Sequence, residues 1–97
     1  MKKQTILSRL HLIKPKLTQI GVTQLGLFGS VVRGEDTRQS DIDILLDFSS
    51  AHETFNNFMD ACRVLEEEFK NRKVDVVTKK GLSPYISKSI LREVEYV

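Results

Sequence analysis

The sequence has little of what would mark it for several broad classes of protein. A single cysteine, Cys62, in 97 residues excludes an intrachain disulfide and any all-cysteine metal site. A reducing cytosol is the compartment that fits it. Neither charge dominates: 15 Lys and Arg stand against 13 Asp and Glu, and a net charge of +2 is too even for a nonspecific grip on nucleic acid. No apolar run approaches the length that crosses a membrane. The chain begins Met1-Lys2-Lys3, but Arg9, His11 and Lys14 break the apolar run behind it, so no signal-peptide core forms. Repeats, low-complexity tracts and linkers are also missing. The expectation is one domain over residues 1–97, cytoplasmic, with neither a membrane nor nucleic acid as a direct partner. A chain this short buries only a modest core.

Periodicity shows what is there. Ile6, Leu10, Ile13, Leu17 and Ile20 recur at steps of four and three, one face of a helix. Pro15 falls inside that pattern. Because proline disfavours helical geometry at Lys14 and removes a backbone donor, the expectation is a helix to about Leu12 and a second, short one from Pro15. Gly21 suits a left-handed cap after it. Val22 to Phe28 reads as a strand, Ser30 to Arg33 as a single helical turn, and Gly34 to Gln39 as a polar loop. Asp41 to Asp47 reads as a second strand, with Ile42, Ile44 and Leu46 on one side and Asp41, Asp43 and Asp47 on the other. Thr54 or the Ser50–Glu53 pair can cap a helix whose apolar face is Phe55, Phe58, Met59, Cys62, Leu65 and Phe69. Val74 to Thr78 is a third strand and Pro84 to Val94 a final helix. The second and third strands, joined by a long helix, fit a parallel crossover, while the first and second suit an antiparallel pair. The fold class is α/β: a small mixed sheet packed with helices.

Side chains alternate along a strand, so Asp41 and Asp43 face the same way, with α-carbons roughly 6.6 Å apart. Two carboxylates at that spacing can share divalent cations. Asp47 lies on that face but roughly 13 Å past Asp43, too far to join them. Gly29-Ser30 ends one strand and opens a helical turn. There glycine lets a ligand approach the backbone, and free N–H groups together with the Ser30 hydroxyl attract phosphate. Asp75 interrupts the apolar run Val74-Asp75-Val76-Val77, where a carboxylate is costly unless paired or metal-bound. On a strand next to the other two acids it can also act as a general base for an incoming hydroxyl. The alternative for Asp75 is an edge-strand acid facing water.

Gly29-Ser30-x-x-Arg33-Gly34, five residues, then Ser40-Asp41-Ile42-Asp43, with a later Val74-Asp75-Val76-Val77, resembles the DNA polymerase β-type nucleotidyltransferase superfamily. The short chain is most similar to the minimal nucleotidyltransferase (MNT) antitoxins paired with HEPN-domain toxins. That resemblance implies the polymerase β-type nucleotidyltransferase fold. It also implies that Gly29 and Ser30 hold the triphosphate, that Asp41 and Asp43 bind two magnesium ions, and that Asp75 completes the site. Arg33 either contacts phosphate or braces the loop against Glu35 or Asp36; Arg38 is a weaker phosphate candidate. The activity implied is transfer of AMP from ATP to a tyrosine hydroxyl of a cognate HEPN ribonuclease toxin, which would neutralise the toxin. Two other classes compete: an antitoxin that masks its toxin by contact alone, and a transferase acting on a small molecule. His11 and His52 are too isolated for a metal site. Cys62 is a core residue, and Glu66-Glu67-Glu68 is a solvated stretch of helix.

Overall fold

A computed structural model describes all 97 residues. Helix α1 (Lys3–Gln19) is followed by strand β1 (Val22–Phe28), the one-turn helix α2 (Ser30–Arg33), strand β2 (Ile42–Phe48) and helix α3 (Phe55–Glu68). Strand β3 (Val74–Thr78), helix α4 (Pro84–Glu93) and the two-residue strand β4 (Glu95–Tyr96) complete the chain. The sheet order is β3-β2-β1-β4. β1 runs antiparallel to both β2 and β4, and β2 runs parallel to β3 across the α3 crossover. The expected mixed sheet is therefore present, with one short strand at its edge that periodicity did not reveal.

The two faces of the sheet have different work. Register pairs Leu25 with Leu46 and Leu27 with Ile44, and on the other side of β2 pairs Ile42 with Val74 and Ile44 with Val76. Partners in register point the same way, so these apolar residues form one continuous face. Ile6, Leu10, Ile13 and Leu17 of α1 cover it, with Ala61 and Leu65 of α3 and Phe69 just beyond. Each side chain buried there contributes roughly 1.5–3 kcal/mol. Arg9 ties the two covering helices together: its Nε donates to Glu68 Oε2 at 2.7 Å, and its guanidinium lies 4.9 Å from the centre of the Phe69 ring.

The opposite face carries Gly26, Phe28, Asp43, Leu45 and Asp75. Gly26 pairs with Tyr96 of the edge strand, and a β-carbon at Gly26 would lie 2.5 Å from Val94 Cγ2 and 3.1 Å from the Tyr96 ring. Only a residue without a side chain lets β4 and its approach lie so close.

Two helix expectations need correction. Pro15 does not divide the first helix: Lys3–Gln19 is one element with Pro15 inside it. Burial of an apolar stripe along the whole length outweighs one missing hydrogen bond, and Pro15 itself faces solvent. The apolar face of α3 is narrower than its pattern, since Phe55 is 77% exposed and Met59 42% exposed, and Cys62 is only half-buried. Thr54 is the cap of that helix, accepting from Asn57 N–H at 3.1 Å. The final helix is also amphipathic but buries no residue, and Tyr85 at its start is 94% exposed. No helix is long and apolar enough to cross a membrane.

Candidate active site

β1 ends in a bend that only glycine makes easily. Gly29 has φ of +80° and ψ of −155°, outside the range of ordinary side chains. A β-carbon there would also fall 2.0 Å from Asp43 Oδ2. The bend turns the backbone into α2, which Gly34 closes in a left-handed conformation, its N–H donating to Val31 O. Ser30, Val31 and Val32 donate their N–H groups to no other backbone atom. The bend itself packs against the Asp43 side chain, and these amides follow it in the turn.

The acids come from the other two strands. Asp43 is the register partner of Phe28 on β1 and of Asp75 on β3. Asp43 and Asp75 therefore share the face that the bend borders. Asp41 precedes β2 by one residue and, by alternation, approaches from the same side. The proximity shows in the titration of Asp43, whose carboxyl is pushed up to about 6. Burial is the largest cause; repulsion from Asp75 and then Asp41 follows, the Arg33 guanidinium opposes them, and Glu93 adds a little more repulsion.

The three acids do not converge on one point, and no three His, Cys, Asp or Glu side chains form a metal-sized cluster. Like charges repel, and Lys73 Nζ lies 3.8 Å from Asp41 Oδ2 on the outer side. Asp75 also differs from expectation. β3 is an edge strand and Asp75 is exposed, so its carboxylate carries no burial cost. The argument from costly burial fails for it, while the register places it beside Asp43 all the same. An all-carboxylate set suits a hard cation such as magnesium. A carboxyl pushed up by burial and then by acidic neighbours is a site that added positive charge would relieve.

Of the two roles open to Arg33, the structure displays the bracing one: its Nε donates to Glu35 Oε1 at 2.7 Å. The same guanidinium also meets Glu93, with Nη1 3.0 Å from Oε2 and 3.1 Å from Oε1. Glu35, and after it Glu93, raise the pKa of Arg33 by accepting these hydrogen bonds. Arg38 is exposed and has no partner in the loop. Asp47 sits near the far end of β2, opposite Gln24, away from the other acids.

Two residues near the acids escaped the sequence reading. Arg72 is only 8% exposed along its side chain, and its guanidinium donates to Ser40 O at 2.6 and 3.2 Å, fixing the backbone just before Asp41. Glu93, the last residue of α4, accepts from Gly29 N–H as well as from Arg33. For Glu93 a signal did exist: an acid in the final turn opposes the helix dipole and calls for a compensating partner. For Arg72, one arginine in a polar stretch after a helix carries no such mark.

Comparison with known proteins agrees with this fold. The family model described as "Nucleotidyltransferase domain" matches residues 10–97. A protein of Thermococcus cleftensis named protein adenylyltransferase MntA is 43% identical over 79 residues, covering 81% of this chain and 78% of its own. A Methanocaldococcus jannaschii protein, provisionally named a protein adenylyltransferase, is 40% identical over 78 residues, covering 78% and 77%. Among solved structures, one provisionally described as a minimal nucleotidyltransferase superposes with a TM-score of 0.84 at 29% identity, over 98% of this chain and 95% of that one. A toxin–antitoxin crystal structure with AMP-PNP superposes with a TM-score of 0.67 over 99% of this chain and 72% of its own. At 20% identity that last likeness is one of fold.

Proposed function

The chain belongs to the nucleotidyltransferase domain family, and on that premise we propose that it is an antitoxin enzyme that transfers AMP from ATP to a tyrosine hydroxyl of a cognate HEPN ribonuclease toxin, in the cytoplasm. A nucleotidyltransferase is what its relatives make it; the protein acceptor follows from their name, protein adenylyltransferase. The observation that carries the reading is the register of Asp43 with Asp75 beside the Gly29 bend.

The residues divide the labour. The Gly29 bend and Ser30 receive the phosphates through N–H groups and a hydroxyl, donors suited to anionic oxygens. Arg33 stands at the end of the same turn and offsets negative charge there. Asp41, Asp43 and Asp75 would hold two magnesium ions, which when bound supply charge for the attacking and leaving oxygens. Asp75, open to water on the edge strand, is where a partner's hydroxyl can arrive and give up its proton. In the reaction a bond forms from the tyrosine oxygen to the α-phosphorus, the bond from that phosphorus to the bridging oxygen breaks, and pyrophosphate leaves. The protein's share is positioning and electrostatics more than covalent chemistry. AMP on a toxin's tyrosine adds charge and bulk where RNA must bind.

The test is to incubate the chain with α-labelled ATP, magnesium and the co-encoded partner. Label on the partner, lost in a folded Asp41→Ala plus Asp43→Ala double variant, is the expected result. Transfer to no partner, with toxicity still neutralised by the double variant, would identify masking by contact as the function instead.

A further inference from the structure

We infer that Glu93 is a positioning residue of the transferase site, clamping the Gly29 bend and the Arg33 guanidinium so that the phosphate-facing amides keep their place; this rests on the nucleotidyl-transfer reading above. Three observations support it. First, Glu93 terminates α4, where the helix dipole disfavours an anion, so its placement needs a partner. Second, it has two, and both belong to the bend: Gly29 N–H donates to Oε2, and Arg33 Nη1 lies within 3.1 Å of both carboxylate oxygens. Third, the donors are shared out without conflict. Glu93 takes the Gly29 amide, while the next three amides, of Ser30, Val31 and Val32, donate to no backbone acceptor.

The contact spans 64 residues of sequence and joins the last helix to the first strand's end. α4 buries none of its own residues; β4 anchors the chain beyond it by pairing with β1, and the Glu93 carboxylate reaches from the helix end to the bend itself. Without that carboxylate the bend loses an acceptor for a part-buried amide, and Arg33 keeps only Glu35. The guanidinium then swings with an exposed loop residue instead of with the scaffold.

The experiment compares wild-type chain with Glu93→Gln and Glu93→Asp, using magnesium-ATP and magnesium-AMP-PNP as probes in calorimetric titration, with KM and kcat measured on the partner. Glu93→Gln keeps one acceptor but loses the ion pair. It is expected to raise the dissociation constant and KM for ATP about tenfold, the scale of one charged hydrogen bond, with a far smaller change in kcat. Glu93→Asp should recover part of the loss. The amide proton of Gly29 should move upfield in the nitrogen-correlated spectrum of Glu93→Gln and stay near its place in Glu93→Asp. Unchanged ATP affinity in Glu93→Gln overturns the inference. So does tighter binding, which would make the carboxylate a competitor of the phosphates. If Glu93→Gln does not fold, Glu93→Asp decides: affinity equal to wild type with a shifted Gly29 resonance also overturns it. Failure of wild-type chain to bind ATP at all would instead sink the nucleotidyl-transfer reading itself.

Discussion

Asp43 and Asp75 stand as register partners on adjacent parallel strands, their side chains on one face of the sheet. One comes from the middle of the sheet and is half-buried; the other is on the edge and open to water. This pairing makes separable demands on the three candidate acids and on their bystander. Asp41→Asn, Asp43→Asn and Asp75→Asn should each reduce AMP transfer by at least about a hundredfold, the usual scale for losing one electrostatic contact to a transition state. Asp47→Asn, on the same strand but beyond reach, should leave transfer near wild type. Steady-state assays with labelled ATP on all four variants check this. Full activity in Asp75→Asn would remove the edge strand from the chemistry.

Titration of Asp43 gives the folded chain a stability that depends on pH. Its carboxyl is raised from the usual carboxylate range to about 6 by burial and then by Asp75 and Asp41. The folded state therefore holds a proton that the unfolded chain has already released between about pH 4 and 6. Stability from this group is fully present below that window and is lost as pH rises through it. The loss is on the order of 1 kcal/mol once solvent screening is allowed for. Melting curves in chelator from pH 4 to 8 should show the decline in wild type and a flatter profile in Asp43→Asn. Added magnesium should recover stability mainly above pH 6, where the carboxylate is ionised.

Gly29 is doubly constrained, by a φ of +80° and by Asp43 Oδ2 where a β-carbon would be. Gly29→Ala should cost about 1–3 kcal/mol of stability through backbone strain. Displacement of the Asp43 carboxylate should lower transfer by about a hundredfold even where the variant is folded. Gly34→Ala is the control, since its φ is also positive but nothing lies within 4 Å of its missing β-carbon. Chemical denaturation and transfer rates should place Gly29→Ala below Gly34→Ala in both stability and activity.

Pro15 leaves His11 O without its usual donor in the interior of α1. Pro15→Ala should restore that bond and raise stability by about 1–2 kcal/mol, after the greater freedom of the unfolded chain is set against it. Transfer activity should not change, because α1 packs on the face away from the acids. A lower melting temperature in Pro15→Ala would show that α1 depends on a bend that proline supplies.

What could be read from the residues was mainly what local sequence decides. Val22 to Phe28 was expected as a strand and Ser30 to Arg33 as one turn, and both bounds agree with the structure, because glycine at 29 and at 34 punctuates the backbone on its own. The parallel pairing of the second and third strands followed from the helix between them. Local rules failed where tertiary contacts decide. Pro15 stays inside a helix because a buried stripe holds both halves together. Phe55 and Met59 continue a periodicity whose covering layer ends before it reaches them. The apolar neighbours of Asp75 suggest a buried strand, but the strand lies at the edge and the alternative of a water-facing edge acid holds for its exposure. Glu93 and Arg72 find their partners 64 and 32 residues away, beyond any spacing rule.

Gly26 lies in mid-strand, away from the acids, and leaves room for the side chains of Val94 and Tyr96 as the last strand pairs beside it. Even a methyl group there would push Val94 and the last strand outward and withdraw Glu93 from the bend. A random-mutagenesis screen for loss of nucleotidyl transfer should thus recover Gly26 alongside the aspartates. Geneticists mapping such alleles would meet a position set apart from the aspartates that still breaks the enzyme.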